Sequence, residues 1–141
     1  MSQTTNASVP NLFPCLRYTD GEAAIEWLAR AFGFEKVVSY PGPDGTIAHA
    51  ELAFGPGTIM LGSMKEDRFG FKSPREAGGV TSSICVYLVE VDAHCERARA
   101  AGAEIVQPIE DTDYGARGYT ARDLEGHLWH FSNYLPEKRK E

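Results

Sequence analysis

The histidines of this chain are the residues best suited to chemistry, and two of them stand three positions apart near its C-terminal end. His127 and His130 lie in the stretch DLEGHLWHF. Imidazole binds divalent metals and exchanges protons near neutral pH. On a helix, residues at this spacing share a face and could chelate one ion, whereas on a strand they point to opposite faces. Whether the pair can act together therefore depends on the element that carries it.

A second group of polar residues lies in the first half of the chain. His49 and Glu51 are two positions apart, so on a strand they share a face. They could form an acid–base pair or a two-ligand fragment of a metal site, or lie on an exposed edge or a dimer seam. Arg17 could clamp a carboxylate or phosphate of a ligand, or form a structural salt bridge with Glu51.

The cysteines indicate neither a zinc site nor a disulfide framework. Cys15, Cys85 and Cys95 form an odd set without a C-x-x-C spacing, which is typical of free thiols in a reducing compartment. No base adjacent to Cys15 or Cys85 is evident in the sequence. We therefore expect buried, packed thiols rather than nucleophiles.

Composition predicts a cytoplasmic globular protein of one domain. The chain has 141 residues, 43% of them hydrophobic, and a net charge of −6, which favours neither nucleic acid nor an anionic membrane as a partner. The first residues lack the apolar core of a signal peptide. No apolar run approaches the roughly 18 residues of a membrane span.

The pattern of elements is the same in both halves of the chain. Gly33 and Gly102, 69 positions apart, each end a helix before a strand, as glycine C-caps do. Thr19 with Glu22 predicts a capping box for the first helix, and Asp92 is the expected N-cap of the second. The predicted strands are 12–18, 34–40, 47–54 and 58–62, then 81–91, 104–109, 118–122 and 128–134. These elements form two tandem βαβββ modules, which are an internal repeat.

The predicted modules have boundaries that follow from these elements. The segments are a disordered tail over 1–10, a first module over 11–63, a linker or lid loop over 64–80, a second module over 81–135 and a charged tail over 136–141. In the linker, Phe69 and Phe71 could form a lid or pin the segment to the body.

In the last hairpin, His127 belongs to a turn and His130 to a strand, so they are not a chelating pair. Trp129 shares a core face with Phe131.

Five motifs together resemble the vicinal oxygen chelate superfamily, which includes glyoxalase I, bleomycin-resistance proteins, fosfomycin-resistance enzymes and extradiol dioxygenases. They are L-R-Y-T-D before the first helix, A-F-G-F-E after it, H-A-E-L in the third strand, and Y-G-x-R and R-D-x-E-G-H-x-W near the end. The resemblance implies an α+β fold of two facing cup-like sheets with helices outside, a small-molecule cavity between the modules, and a homodimer.

The resemblance also bears on metal chemistry. The superfamily's metal-ligand positions fall here at Phe13, Met60, Ser83 and His130. Catalytic divalent ions need three or four nitrogen or oxygen donors, and one histidine among these side chains does not supply them. We therefore expect no catalytic metal and no cofactor.

Strand alternation, continued from those positions, predicts the residues that line the cavity. His130 could be a general base or a hydrogen-bonded interior histidine, and Tyr87 could donate to a ligand or pack in the core. Tyr114 and Tyr119 could line the mouth, while His94 is expected on a helix surface. The candidate ligand-binding residues are Phe13, Arg17, His49, Glu51, Met60, Ser83, Tyr87 and His130.

Three functions remain open from the sequence. The first is metal-independent binding of a modest aromatic or amphipathic compound, as in drug-sequestering resistance proteins, with an acidic chain mildly favouring a cationic ligand. The second is an enzyme of the same superfamily, either a lyase, isomerase or dioxygenase with a divalent metal displaced to His49, Glu51 and His130, or a metal-free acid–base catalyst. The third is a partner-binding domain without a ligand.

Overall fold

The computed structural model describes residues 5–6 and 8–136. The predicted charged tail beyond residue 136, and residues 1–4 and 7 of the predicted N-terminal tail, lie outside the described residues. The elements in order are β1 Cys15–Tyr18, α1 Gly21–Phe32, β2 Glu35–Pro41, β3 Ile47–Phe54, β4 Gly57–Ser63, α2 Pro74–Ala77, β5 Ser83–Tyr87, α3 Val91–Ala100, β6 Glu104–Asp111, β7 Arg117–Arg122 and β8 Leu128–Ser132. Apart from the short α2, this is the predicted pair of βαβββ modules.

The chain divides into two compact units. The first contains residues 1–29 and 33–72, and the second contains 30–32 and 73–141. The last turn of α1 thus groups with the second unit, and the division along the chain falls inside the predicted linker.

The first unit contains a four-stranded sheet in the order β1-β4-β3-β2. β1 runs parallel to β4, with Cys15 opposite Met60 and Arg17 opposite Gly62, and β3 is antiparallel to both of its neighbours. Alternation along β1 buries Leu16 and Tyr18. The side chains that alternate with them, Cys15 and Arg17, therefore lie on the other face.

The second unit repeats this arrangement as β5-β8-β7-β6. The buried face of its sheet carries an aromatic cluster, in which the ring centroids of Phe32 and Phe131 are 4.7 Å apart and Trp129 is fully buried. Asp123 fixes the last hairpin, because its carboxylate accepts hydrogen bonds from the backbone N–H groups of Glu125 and His127 and from Trp129 Nε1, each at 3.0 Å. The predicted core position of Trp129 is confirmed.

The element boundaries depart from the sequence predictions at strand ends and at three further places. β1 begins at Cys15 rather than at residue 12, β6 ends at Asp111 rather than at 109, and β8 ends at Ser132 rather than at 134. The N-cap of α1 is Asp20, whose carboxylate accepts from the N–H of Ala23, rather than Thr19. The strand predicted over 81–91 is only five residues long, and α3 begins at Val91 with Glu90 as N-cap. The linker contains α2, which begins with a capping box between Ser73 and Glu76. No helix among the described residues is long and apolar enough to cross a membrane.

Candidate functional site

A pocket of about 380 Å³ lies on one face of the second sheet. Residues directly opposite each other on paired strands share a face, so the strand register places two adjacent rows of side chains there. The rows are Cys85, His130, Thr120 and Gln107, and Tyr87, Ser132, Gly118 and Glu110. All of these except Thr120 line the pocket, together with Val86, Thr112, Tyr114, Ala116, Arg117, Tyr134 and Pro136. The volume is within the range of roughly 300–1,000 Å³ that small-molecule sites occupy.

His130 is held in the pocket by its neighbours on β7. Its Nδ1 lies 2.8 Å from the hydroxyl oxygen of Thr120. A hydroxyl can accept from Nδ1–H, which leaves the lone pair on Nε2. Gly118 makes room for that atom, because a Cβ at Gly118 would lie 3.2 Å from Nε2 and 2.8 Å from the carbonyl oxygen of Phe131. The imidazole is therefore oriented by one side chain and accommodated by the lack of another.

Aromatic side chains supply much of the exposed apolar surface of the pocket. Tyr87, Tyr114 and Tyr134 all line it and are all substantially exposed. The rings of Tyr114 and Tyr134 meet edge to face, with centroids 5.7 Å apart. Exposed rings on a concave surface bind flat apolar groups, and their phenol oxygens can hydrogen-bond to polar atoms of the same ligand.

The charges around this pocket are predominantly negative. Arg117 lines the pocket, and its guanidinium is paired with Asp92 and Asp111, each at 3.0 Å. The hydrogen bonds from Asp111 and then Asp92 raise the pKa of Arg117. Glu110, on the same face, adds a further carboxylate. One guanidinium is thus paired with two carboxylates while a third lines the pocket, so the local field favours a cationic group.

The predicted site residues of the first unit form two separate contacts. The His49 ring and the Glu51 carboxylate are joined at 2.9 Å, and Tyr40 stacks beside His49. Arg17 pairs with Asp67 of the linker at 3.2 Å, so the alternative of a salt bridge with Glu51 is wrong. Arg17 and Glu51, which the sequence suggests as a possible ion pair, therefore each pair with a different residue.

The metal-ligand positions do not carry the donors that a divalent ion needs. Phe13, just before β1, has no donor atom, and Met60, beside Cys15 on the neighbouring strand, offers only a thioether. Ser83 is opposite Leu128 on β8 and is not among the described residues that line the pocket. Within the described ranges, no three His, Cys, Asp or Glu side chains are grouped so that they could hold a metal ion.

Three expectations about individual residues are wrong. Cys15 and Cys85 are exposed, and only Cys95 is buried, where desolvation raises the pKa of its thiol. Tyr119 is fully buried and does not line a cavity mouth, unlike Tyr114. His94 is not a surface residue but bridges two buried partners. Its Nδ1 lies 2.6 Å from the Tyr119 hydroxyl and its Nε2 lies 2.8 Å from the Phe32 carbonyl oxygen.

The sequence analysis also missed the contribution of β6. Gln107 and Glu110 line the pocket, yet they are three positions apart and do not follow strict alternation. The pairing of β6 with β7 is irregular between them, at Pro108, which has no N–H to donate and is tolerated because β6 is an edge strand. The proline is the signal that could have indicated the irregularity.

Comparison with known proteins gives consistent results. The family model described as Glyoxalase/Bleomycin resistance protein/Dioxygenase superfamily matches residues 12–131. An uncharacterized protein of Mycobacterium tuberculosis is 36% identical over 122 residues, covering 85% of this chain and 72% of the relative.

Among solved structures, TioX from Micromonospora sp. ML1 is 40% identical, with a TM-score of 0.69 over 89% of this chain and 100% of TioX. The fosfomycin resistance protein FosX from Listeria monocytogenes has a TM-score of 0.64 at 15% identity, over 89% of this chain and 92% of FosX, and shares the fold.

Proposed function

The chain belongs to the glyoxalase/bleomycin resistance protein/dioxygenase superfamily, and from this premise we propose that it binds a small, flat organic molecule in the pocket of its second unit, without a catalytic metal. The observation that carries the proposal is the pocket itself, which is lined by three exposed tyrosines and by the polar side chains of His130, Gln107 and Glu110. Apolar walls with a few placed polar groups are the usual composition of a ligand site.

The charges support a cationic aromatic or amphipathic ligand. The guanidinium of Arg117 is already neutralised by Asp92 and Asp111, and Glu110 lies on the same face. A cation in the pocket can also contact the faces of tyrosine rings, which attract positive charge. Two independent features thus select the same sign of charge.

Calorimetric titration with two probes tests this proposal. The probes 2-naphthylmethylammonium and 2-naphthoate share one ring system and carry opposite charges. We expect the ammonium to bind, and we expect Tyr114→Ala to weaken it about tenfold, because one aromatic contact contributes about 1.4 kcal/mol. Tyr40→Ala is the matched control, since Tyr40 is similarly exposed but belongs to the first unit. Absence of ammonium binding, or equal losses in the two variants, would overturn the proposal.

Metal-free acid–base catalysis is the second candidate, and the contact of Thr120 with Nδ1 of His130 favours it. A general base must be held in one orientation and keep a free lone pair within reach of the substrate. In a binding protein the same lone pair would only accept a hydrogen bond from the ligand. Turnover of a bound ligand that is lost in His130→Gln, and that survives a chelator, would favour this activity and exclude the metal-dependent enzymes of the superfamily.

We also propose a cytoplasmic homodimer. Membership of the superfamily supports the dimer, because its members usually form dimers. The free cysteines are typical of a reducing compartment. Sedimentation equilibrium tests the dimer, and a concentration-independent monomer would contradict it.

A further inference from the structure

Arg17 is held by the linker that follows β4. Its Nη2 donates to Asp67 Oδ2 at 3.2 Å, and both side chains are only 16% exposed. The ring of Phe71 covers the same guanidinium, with its centroid 4.3 Å from Cζ. One guanidinium thus receives a carboxylate at its edge and an aromatic ring on its face.

The local geometry of the linker brings these two groups together. Asp67 Oδ1 accepts a hydrogen bond from the N–H of Phe69 at 2.9 Å, and this bond, followed by the contact with Arg17, lowers the pKa of Asp67. Gly70 follows with a φ of 72°, a left-handed conformation that favours glycine. The turn there lets Phe71 contact the same side chain as Asp67.

We propose that Arg17 is a binding site for an aromatic carboxylate, and that Asp67 and Phe71 occupy this site as internal substitutes until such a ligand displaces them. A guanidinium binds planar carboxylates through two parallel N–H donors and stacks on aromatic faces. The two linker side chains already supply both groups. One aromatic acid combines the same two groups in a single molecule.

This site is distinct from the pocket of the proposed function. It lies in the first unit and selects the opposite charge. Displacement of Asp67 also frees the linker, so the bound state differs from the free state in the order of residues 64–72. Because the ligand competes with a tethered carboxylate, its apparent affinity is the intrinsic affinity multiplied by the fraction of molecules in which the linker is released.

Limited proteolysis with trypsin reports that release. The linker carries cleavage sites after Lys65, Arg68 and Lys72, and mass spectrometry resolves the cuts. We expect 2-naphthoate to accelerate these cuts several-fold in the wild-type protein. At the same ionic strength, 2-naphthylmethylammonium should not accelerate them, which separates competition at Arg17 from general screening of the ion pair.

Three variants complete the test. Asp67→Asn should cleave faster without any ligand and bind 2-naphthoate about tenfold more tightly than wild type. Glu66→Gln makes the same charge change at the exposed neighbouring position and should behave as wild type. Arg17→Lys keeps the charge but loses the planar fork, and should abolish most of the response.

Two results would overturn the inference. One is that 2-naphthoate neither accelerates cleavage of the wild type nor binds Asp67→Asn more tightly. The other is that Arg17→Lys responds fully to 2-naphthoate. The variant Tyr114→Ala distinguishes the two sites, because it should weaken the ammonium probe in the second unit and leave the response to the carboxylate unchanged.

Discussion

His94 is buried in its neutral form, and the protein should therefore become less stable in mild acid. Its ring lies between Tyr119 and the carbonyl of Phe32 and contacts the ring of Phe131. Desolvation by burial is the main cause that lowers the pKa of His94; the Phe32 carbonyl opposes the shift and the charge of Arg97 adds to it. The folded protein therefore takes up this proton at lower pH than the unfolded chain, whose histidine titrates near about 6.5.

The sign of the effect follows from proton linkage. Above about pH 6.5 both states are neutral, and the stability contributed by His94 is fully present. Below that pH the unfolded chain is protonated first, so stability falls until the lower pKa of the folded state is reached. The slope cannot exceed about 1.4 kcal/mol per pH unit for one proton. Because the ring is partly exposed, water screens part of the penalty and the observed slope should be smaller.

Urea unfolding between about pH 7.5 and about pH 5.5 measures this slope in wild type and in His94→Gln. The variant cannot titrate in that range, so its stability should depend less on pH, although it is less stable at neutral pH by about 1–3 kcal/mol through lost hydrogen bonds and ring contacts. The free-energy difference between the two proteins should therefore shrink as the pH falls. Parallel pH curves for wild type and His94→Gln would refute the reasoning.

Two further predictions concern packing around the site. Gly118→Ala should cost about 1–3 kcal/mol in urea unfolding, because the added methyl group would overlap with backbone and side-chain atoms; Gly57→Ala, where the new carbon meets only an ordinary contact, should be neutral, and equal effects would contradict the close-approach argument. Asp123→Ala should destabilise by on the order of 3 kcal/mol, because three donors lose their acceptor. The exposed Asp113→Ala is its control, and a similarly small loss in both would show that the buried carboxylate is not the anchor of the hairpin.

The order and type of the elements could be predicted because short-range signals determine them. Gly33 does adopt the left-handed conformation of a C-cap, and His130 does lie in a strand with Trp129 buried on its other face. Alternation predicts which residues share a face, but it does not state what covers that face. The sequence therefore predicts that Cys15 and Cys85 are buried as small apolar residues, whereas both are exposed.

Residues whose roles depend on contacts distant in sequence could not be predicted. His94 is on α3, yet its partners are on β7 and at the end of α1, and no local pattern indicates that. Strand geometry places Arg17 and Glu51 on one sheet, so the sequence predicts Glu51 as a possible ion-pair partner. In the structure the partner is Asp67 of the linker, 50 positions further along the chain. A charged side chain pairs with whichever carboxylate the tertiary structure brings near it, and loops contribute such partners without any periodic signal.

The internal repeat places different side chains at corresponding positions of two similar sheets. Cys15 beside Met60 in the first sheet corresponds to Cys85 beside His130 in the second, since each partner stands 70 positions further on. By the same offset Arg17 corresponds to Tyr87, so a guanidinium in one unit takes the place of a phenol in the other. The backbone pairing is the same at both places, and the difference therefore lies in the side chains alone. The two proposals follow from this difference, an anionic aromatic ligand for the guanidinium of one unit and a cationic ligand for the tyrosines and carboxylates of the other, and the two naphthyl probes are chosen to separate them.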